Sequence, residues 1–178
     1  MDFKTVISSL VNDFDRRRIR YGLMGGFALG LWGVARATVD LDFLVRREDM
    51  AQITERMGGL GYECKFQSEN VSQFVSPLKL FGEVDFLHAF RQASLEMLKR
   101  AEEKDIFNGE LHIRVLMPED LIGLKLQAIK NNPSRKEGDM ADIKALASAR
   151  KGKLDWPLIR SYADILEAGE LLAELGEE

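Results

Sequence analysis

Three aspartates carry the chemistry that this sequence can do. Asp40 and Asp42 lie one residue apart in the segment Thr38 to Val45, which reads as a strand because Val39, Leu41, Phe43 and Val45 alternate with them. A strand sends alternate side chains to one face, so both carboxylates point the same way, about 7 Å apart. Like charges so placed destabilise a half-buried strand unless a cation sits between them. Mg²⁺ suits the position, because it binds through one or two carboxylates plus substrate phosphates. The third aspartate, Asp85, interrupts the apolar run Val84 to Leu87, where an unpaired charge is costly. A salt bridge to Arg36 or Arg114 would explain it alone. Beside Asp40 and Asp42 it instead completes a two-metal site, in which one Mg²⁺ or Mn²⁺ holds a triphosphate and the other activates an attacking hydroxyl. Asp85 would then accept or orient the hydroxyl proton. That pattern points to phosphoryl or nucleotidyl transfer.

The phosphates of such a substrate need a cradle, and Gly25-Gly26 offers one. The pair follows the strand-like Tyr21 to Met24 and opens a helix that runs to about Val34. Glycines at a strand-to-helix turn let backbone approach a ligand and leave N–H groups free at the helix N-terminus. Alone, such a pair is a common steric device. With Asp-x-Asp fourteen residues later on the next strand, cradle and carboxylates become neighbours across one turn.

The elements that must position these residues read as a mixed α/β (α+β) arrangement: a mixed β-sheet core flanked by helices, followed by a helical C-terminal region. Phe3, Val6, Ile7, Leu10, Val11 and Phe14 have the spacing of one helical face, and the basic run Arg16, Arg17, Arg18, Arg20 follows it. Further segments predict a helix over Glu48 to Met57, strands over Tyr62 to Phe66 and Gln73 to Val75, and a hairpin turning at Gly82 between Leu78–Phe81 and Glu83–Leu87. A helix is expected over Ala93 to Lys104 and a strand over Glu110 to Met117. Beyond Pro118 the period is helical, over Glu119 to Lys130, Glu137 to Arg150, and from an N-cap at Asp155 onward. We therefore expect a core over 1–117 and a helical region over 118–178 packed on it.

Composition sets outer bounds. The 178 residues are 46% hydrophobic and 30% charged, with a net charge of −4, which argues against a surface that is basic throughout but leaves room for a local basic groove. A single cysteine, Cys64, excludes an internal disulfide framework and fits a reducing cytoplasm. The charge-free run from Gly22 to Ala35 is too short and glycine-rich to span a bilayer, and Asp2 and Lys4 open an amphipathic helix rather than a signal peptide.

The stretch Gly-Gly-x-Ala-Leu-x-x-x-Gly-x-x-Arg-x-Thr-x-Asp-x-Asp, here Gly25 to Asp42, resembles the signature of the nucleotidyltransferase superfamily with the DNA polymerase beta-like fold. Within it, the chain is most similar to small bacterial AbiEii/MenT-type proteins, several of them toxins. The likeness extends through Val84-Asp85-Phe86 and more loosely over the tail. It implies Mg²⁺-dependent transfer of an NMP from an NTP to an acceptor hydroxyl on tRNA or protein, with a cognate antitoxin as partner. The family site maps onto Asp40, Asp42 and Asp85 for metal, and onto Gly25, Gly26, Arg36 and Thr38 for the nucleotide, Arg36 contacting phosphate or bracing the aspartates. Many members carry Gly-Ser at the turn, where this chain has Gly26. Two alternatives keep the same fold: a small-molecule enzyme of the aminoglycoside-modifying kind, and a non-catalytic nucleotide-binding regulator or antitoxin partner.

The tail adds a separate signal. Leu121, Ile122, Leu124, Leu126, Ala128 and Ile129 form an apolar arc at 100° per residue, with Lys125 near its middle. Such a lysine either snorkels to water or is aimed at an anion, and methionine should be tolerated in its place. The resemblance gives Lys125 to the active site, where it neutralises triphosphate charge. It also maps Arg-x-x-x-Asp-x-x-Asp-Ile onto Arg135, Asp139, Asp142 and Ile143, with Asp142 at the nucleotide. One of these aspartates is expected to pair with Lys125 or an arginine, and Asp139 also suits a helix N-terminus.

Overall fold

A computed structural model describes residues 1–175. The alternating segments form a seven-stranded mixed sheet: β1 (Tyr21–Met24), β2 (Asp40–Arg46), β3 (Glu63–Gln67), β4 (Val71–Val75), β5 (Glu83–Ala89), β6 (Glu102–Ile106) and β7 (Leu111–Val115), in the order β3-β4-β5-β2-β1-β7-β6. Helices α1 (Phe3–Arg17), α2 (Gly25–Leu31), α3 (Met50–Gly59), α4 (Gln92–Arg100), α5 (Pro118–Asn131), α6 (Lys136–Ala149), α7 (Trp156–Ile165) and α8 (Gly169–Ala173) complete a mixed α/β fold. The described residues divide into a sheet unit, Met1–Ala28 with Arg36–Leu116, and a helical unit, Leu29–Ala35 with Met117 onward.

In the sheet unit, β2 runs antiparallel to β1 and parallel to β5. Leu41, Phe43 and Val45 share a face with Val84, Phe86 and His88, all buried. Phe14 of α1 seals that face by meeting Phe43 and Phe86 edge-on, with centroids 5.8 and 6.3 Å apart, while Phe43 and Phe86 stack. The strand period therefore turns Asp40, Asp42 and Asp85 to the opposite face.

Two segments differ from what the sequence suggests. The hairpin partner of β5 is β4, with Val75 opposite Glu83, and Leu78 and Leu80 lie exposed in the connection. Their apolar character imitates a strand although they belong to the turn, which Gly82 closes at a φ of 61°. The helix expected to reach Lys104 ends at Arg100, and Glu102–Ile106 continues as an edge strand against β7. Glu-Glu-Lys-Asp is good helix composition, and cross-strand pairing overrides it. In β3, the other edge strand, the register against β4 shifts between Cys64 and Phe66.

In the helical unit, α5 lies against α6 and α7. Asp155 caps α7 by accepting from the Leu158 N–H, and its own N–H donates to buried Glu119. Tyr162 Oη donates to fully buried Asp120 at 2.6 Å. Gly123 is required on α5, since a Cβ there would stand 2.6 Å from the Tyr162 ring.

Candidate active site

The parallel register of β2 and β5 sets Asp42 directly opposite Asp85, with Asp40 one pleat away on the same face. Met24 pairs with Asp42 on the other side, so the turn at Gly25 arrives at the same point. Gly25 has a φ of 68°, and a Cβ added to it would fall 1.9 Å from Asp42 Oδ2. The Asp42 carboxylate thus occupies the space that any side chain at 25 would need. Both conformation and contact require glycine there.

Thr38 fixes Asp40 by donating its hydroxyl to Oδ1 at 2.8 Å. It also explains Gly26: a Cβ at that position would stand 2.8 Å from Thr38 Oγ1 and 2.9 Å from Thr38 Cβ, with Arg36 Nε at 3.8 Å. A serine at 26 would push Thr38 off Asp40, so here one hydroxyl stands in the place that the Gly-Ser pattern fills with another.

Asp85 is bound on one side only. Gln73, opposite it on β4, donates from Nε2 to Oδ2 at 2.9 Å, while Oδ1 is buried with no hydrogen-bond partner among the described residues. Burial raises its pKa against the Gln73 bond, and the charges of Asp40 and Glu83 raise it further. Among the described residues neither Arg36 nor Arg114 donates to that inner oxygen. An orphaned, half-buried carboxylate oxygen among hard oxygen donors fits a divalent cation, and equally a proton in transit. Among the described residues no three His, Cys, Asp or Glu side chains converge as a metal group. Gln73 is the participant that sequence reading misses. It is an exposed polar residue in an alternating strand, and only the β4–β5 register identifies its partner.

His88 lies three residues beyond Asp85 and so faces the other way. It is buried, hydrogen-bonded at 3.0 Å to Ser72 Oγ and to the Glu69 carbonyl, and burial lowers its pKa. It is a structural histidine.

The helical unit holds a second charge cluster. Lys125 is half-buried on α5, and its ammonium donates to Asp139 Oδ1 at 2.8 Å and to Asp142 Oδ2 at 2.6 Å. Arg135 Nε donates to Asp139 Oδ2 at 2.8 Å. Burial would raise the Asp139 pKa, but the hydrogen bonds from Arg135 and Lys125 and their charges outweigh it and hold it below the ordinary value. Lys125 therefore does not snorkel; it ties α5 to α6.

The profile of the family described as "Nucleotidyl transferase AbiEii toxin, Type IV TA system" matches residues 17–168. No curated protein matches the sequence. Among solved structures, the antibiotic-resistance factor ANT(2'')-Ia is similar with a TM-score of 0.67 at 14% identity, covering 98% of this chain and 97% of that one. The lincosamide antibiotic adenylyltransferase LnuA gives 0.58 at 13% identity over 82% and 96%. An antigenic nucleotidyltransferase-like protein from Paracoccidioides brasiliensis gives 0.57 at 20% identity over 98% and 92%. At such identities the likeness is one of fold.

Proposed function

The chain belongs to the nucleotidyl transferase AbiEii toxin family, and from that premise we propose that it transfers the NMP of a metal-bound NTP to an acceptor hydroxyl on tRNA or protein, as the toxin of a toxin–antitoxin pair. The observation that carries the reading is the register that sets Asp42 between the Gly25 turn and Asp85, whose inner oxygen lacks a donor.

In this reading Asp40, Asp42 and Asp85 hold Mg²⁺ or Mn²⁺. When bound, the metal supplies Lewis acidity at the phosphates and lowers the pKa of the attacking hydroxyl. The N–H groups of the Gly25-Gly26 turn receive phosphate oxygens, and Thr38 keeps Asp40 in its rotamer. Arg36, beside the turn, adds a guanidinium to the phosphates or braces the aspartates. The acceptor oxygen bonds to the α-phosphorus as the α–β bridging P–O bond breaks. Pyrophosphate leaves with that electron pair, and the hydroxyl proton goes to Asp85, whose inner oxygen has no hydrogen-bond partner among the described residues.

The test is transfer of label from each α-³²P-NTP to total tRNA, to protein and to small hydroxylated antibiotics, with Asp85→Asn beside the wild type. We expect label in tRNA or protein, and a loss of at least about 10²-fold in Asp85→Asn with NTP binding retained. Label in the antibiotics alone would replace the acceptor. Binding of NTP without transfer to any pool would make the chain a nucleotide-binding regulator.

A further inference from the structure

The basic run after α1 does not act as one unit. Arg16 and Arg17 are committed to buried Asp13, at 3.0 Å each. Arg18 and Arg20 have no ion pair among the described residues, nor does Arg114 on β7, and all three are exposed. These three guanidinia, with Lys99 from the last turn of α4, line a cavity of about 550 Å³. Asp15 is the one carboxylate in its lining, and Lys99 is held by Glu96 at 2.7 Å. The carbonyl ends of α1 and α4 also lie here and offset about half a charge each. The balance remains positive, in a chain whose net charge is −4.

We propose that this cavity is a phosphate-binding site, separate from the three aspartates, that takes the sugar–phosphate backbone of an RNA strand. Guanidinium forks match phosphate oxygens in pairs, and a concave basic surface focuses its field on an approaching polyanion. No aromatic side chain lines the cavity, so nothing is built to stack the base of a free nucleotide. Arg20 and Gly25 bracket β1, which places the cavity roughly 16 Å from the phosphate turn at about 3.3 Å per residue. A strand bound at the cavity can therefore extend to the aspartates, whereas a polycationic aminoglycoside would be repelled from it. The site deepens the proposed transfer by selecting RNA as the acceptor class, and in that respect rests on it.

The experiment measures anisotropy of a labelled RNA hairpin against salt for wild type, Arg20→Gln/Arg114→Gln, Arg16→Gln, and Asp40→Asn/Asp42→Asn. The arginine pair variant should bind about tenfold more weakly or worse, and its slope of log K against log salt should be shallower by about 2. Its melting temperature and its stabilisation by Mg²⁺-NTP should be unchanged. Arg16→Gln and the aspartate variant should bind RNA like wild type, which separates this site from the transfer reading: loss of the Mg²⁺-NTP stabilisation in the wild type would sink transfer and leave the RNA site standing. Wild-type affinity and slope in the arginine pair variant, or no RNA binding by the wild type, would overturn the site. So would competition by inorganic phosphate, AMP or polyglutamate as strong as that by unlabelled RNA at equal charge concentration.

Discussion

The sheet unit and the helical unit each gather aspartates in a group, and they treat the charge in opposite ways. In the helical unit, Lys125 and Arg135 match Asp139 and Asp142 charge for charge, and the pKa of Asp139 falls. In the sheet unit, Asp85 faces Asp40 and Glu83, keeps an oxygen without a donor, and its pKa rises. Residue type does not distinguish the two. What distinguishes them is that Asp139 receives two cations, whereas among the described residues the inner oxygen of Asp85 receives no donor. A closed cluster holds helices together, while an open one stores repulsion until a cation or proton arrives.

The open cluster is tested by what binds to it. In the wild type, Mg²⁺ with NTP at 100 times its Kd should add about 2.7 kcal/mol of stability. Asp40→Asn/Asp42→Asn should erase that gain and the transfer activity. A double variant that keeps the full ligand-induced shift would show that these aspartates are not the metal site.

The closed cluster should respond in the reverse sense. Lys125→Met takes the shared ammonium from two buried carboxylates and leaves Asp139 to Arg135 alone, so urea unfolding should report a loss of about 3–5 kcal/mol. The sequence alone, which shows no partner for Lys125, suggests instead that methionine is tolerated there. Adding Asp142→Asn should restore part of the loss. A Lys125→Met protein as stable as wild type would break the comparison.

The smallest effect separates the two clusters by pH. The raised pKa of Asp85 means that its ionisation weakens the apo fold, so Asp85→Asn should stabilise the apo protein at pH 7. That advantage should disappear as pH falls below the ordinary value of 3.8, where the unfolded chain is also protonated. Asp139, with its lowered pKa, contributes stability above 3.8 that is lost as pH falls through its folded value. Asp139→Asn should therefore destabilise at pH 7, and its penalty should shrink in acid. Melting curves of both variants from pH 7 to 3 that moved in the same direction would remove the distinction.

The sequence reveals the parts of the fold whose signals are local. Alternation in β2 and β5, the glycine turn before α2, and the Asp155 cap of α7 each depend on neighbours within a few residues. What is not legible depends on partners far along the chain. Gln73 means nothing until β4 is set beside β5, and Arg16 and Arg17 look like a phosphate patch until α1 places them on Asp13. Buried Asp120 and Glu119 read as ordinary first-turn acids of α5, because Tyr162 and Asp155, which satisfy them, lie some forty residues away. Gly26 reads as a departure from a family pattern, and only its contact with Thr38 gives it a reason.

The two edges of the sheet have a consequence for solubility. β6 exposes Glu102, Glu103 and Asp105 along its length, and β3 is bent by its irregular register and carries Glu63 and Lys65. Strands ordinarily recruit further strands through their unpaired backbone groups, and charges and bulges at an edge make that recruitment unfavourable. A sheet guarded at both ends resists edge-to-edge aggregation as the protein accumulates, and replacing Glu103 and Asp105 with valine and threonine would create a hydrogen-bonding template for other copies.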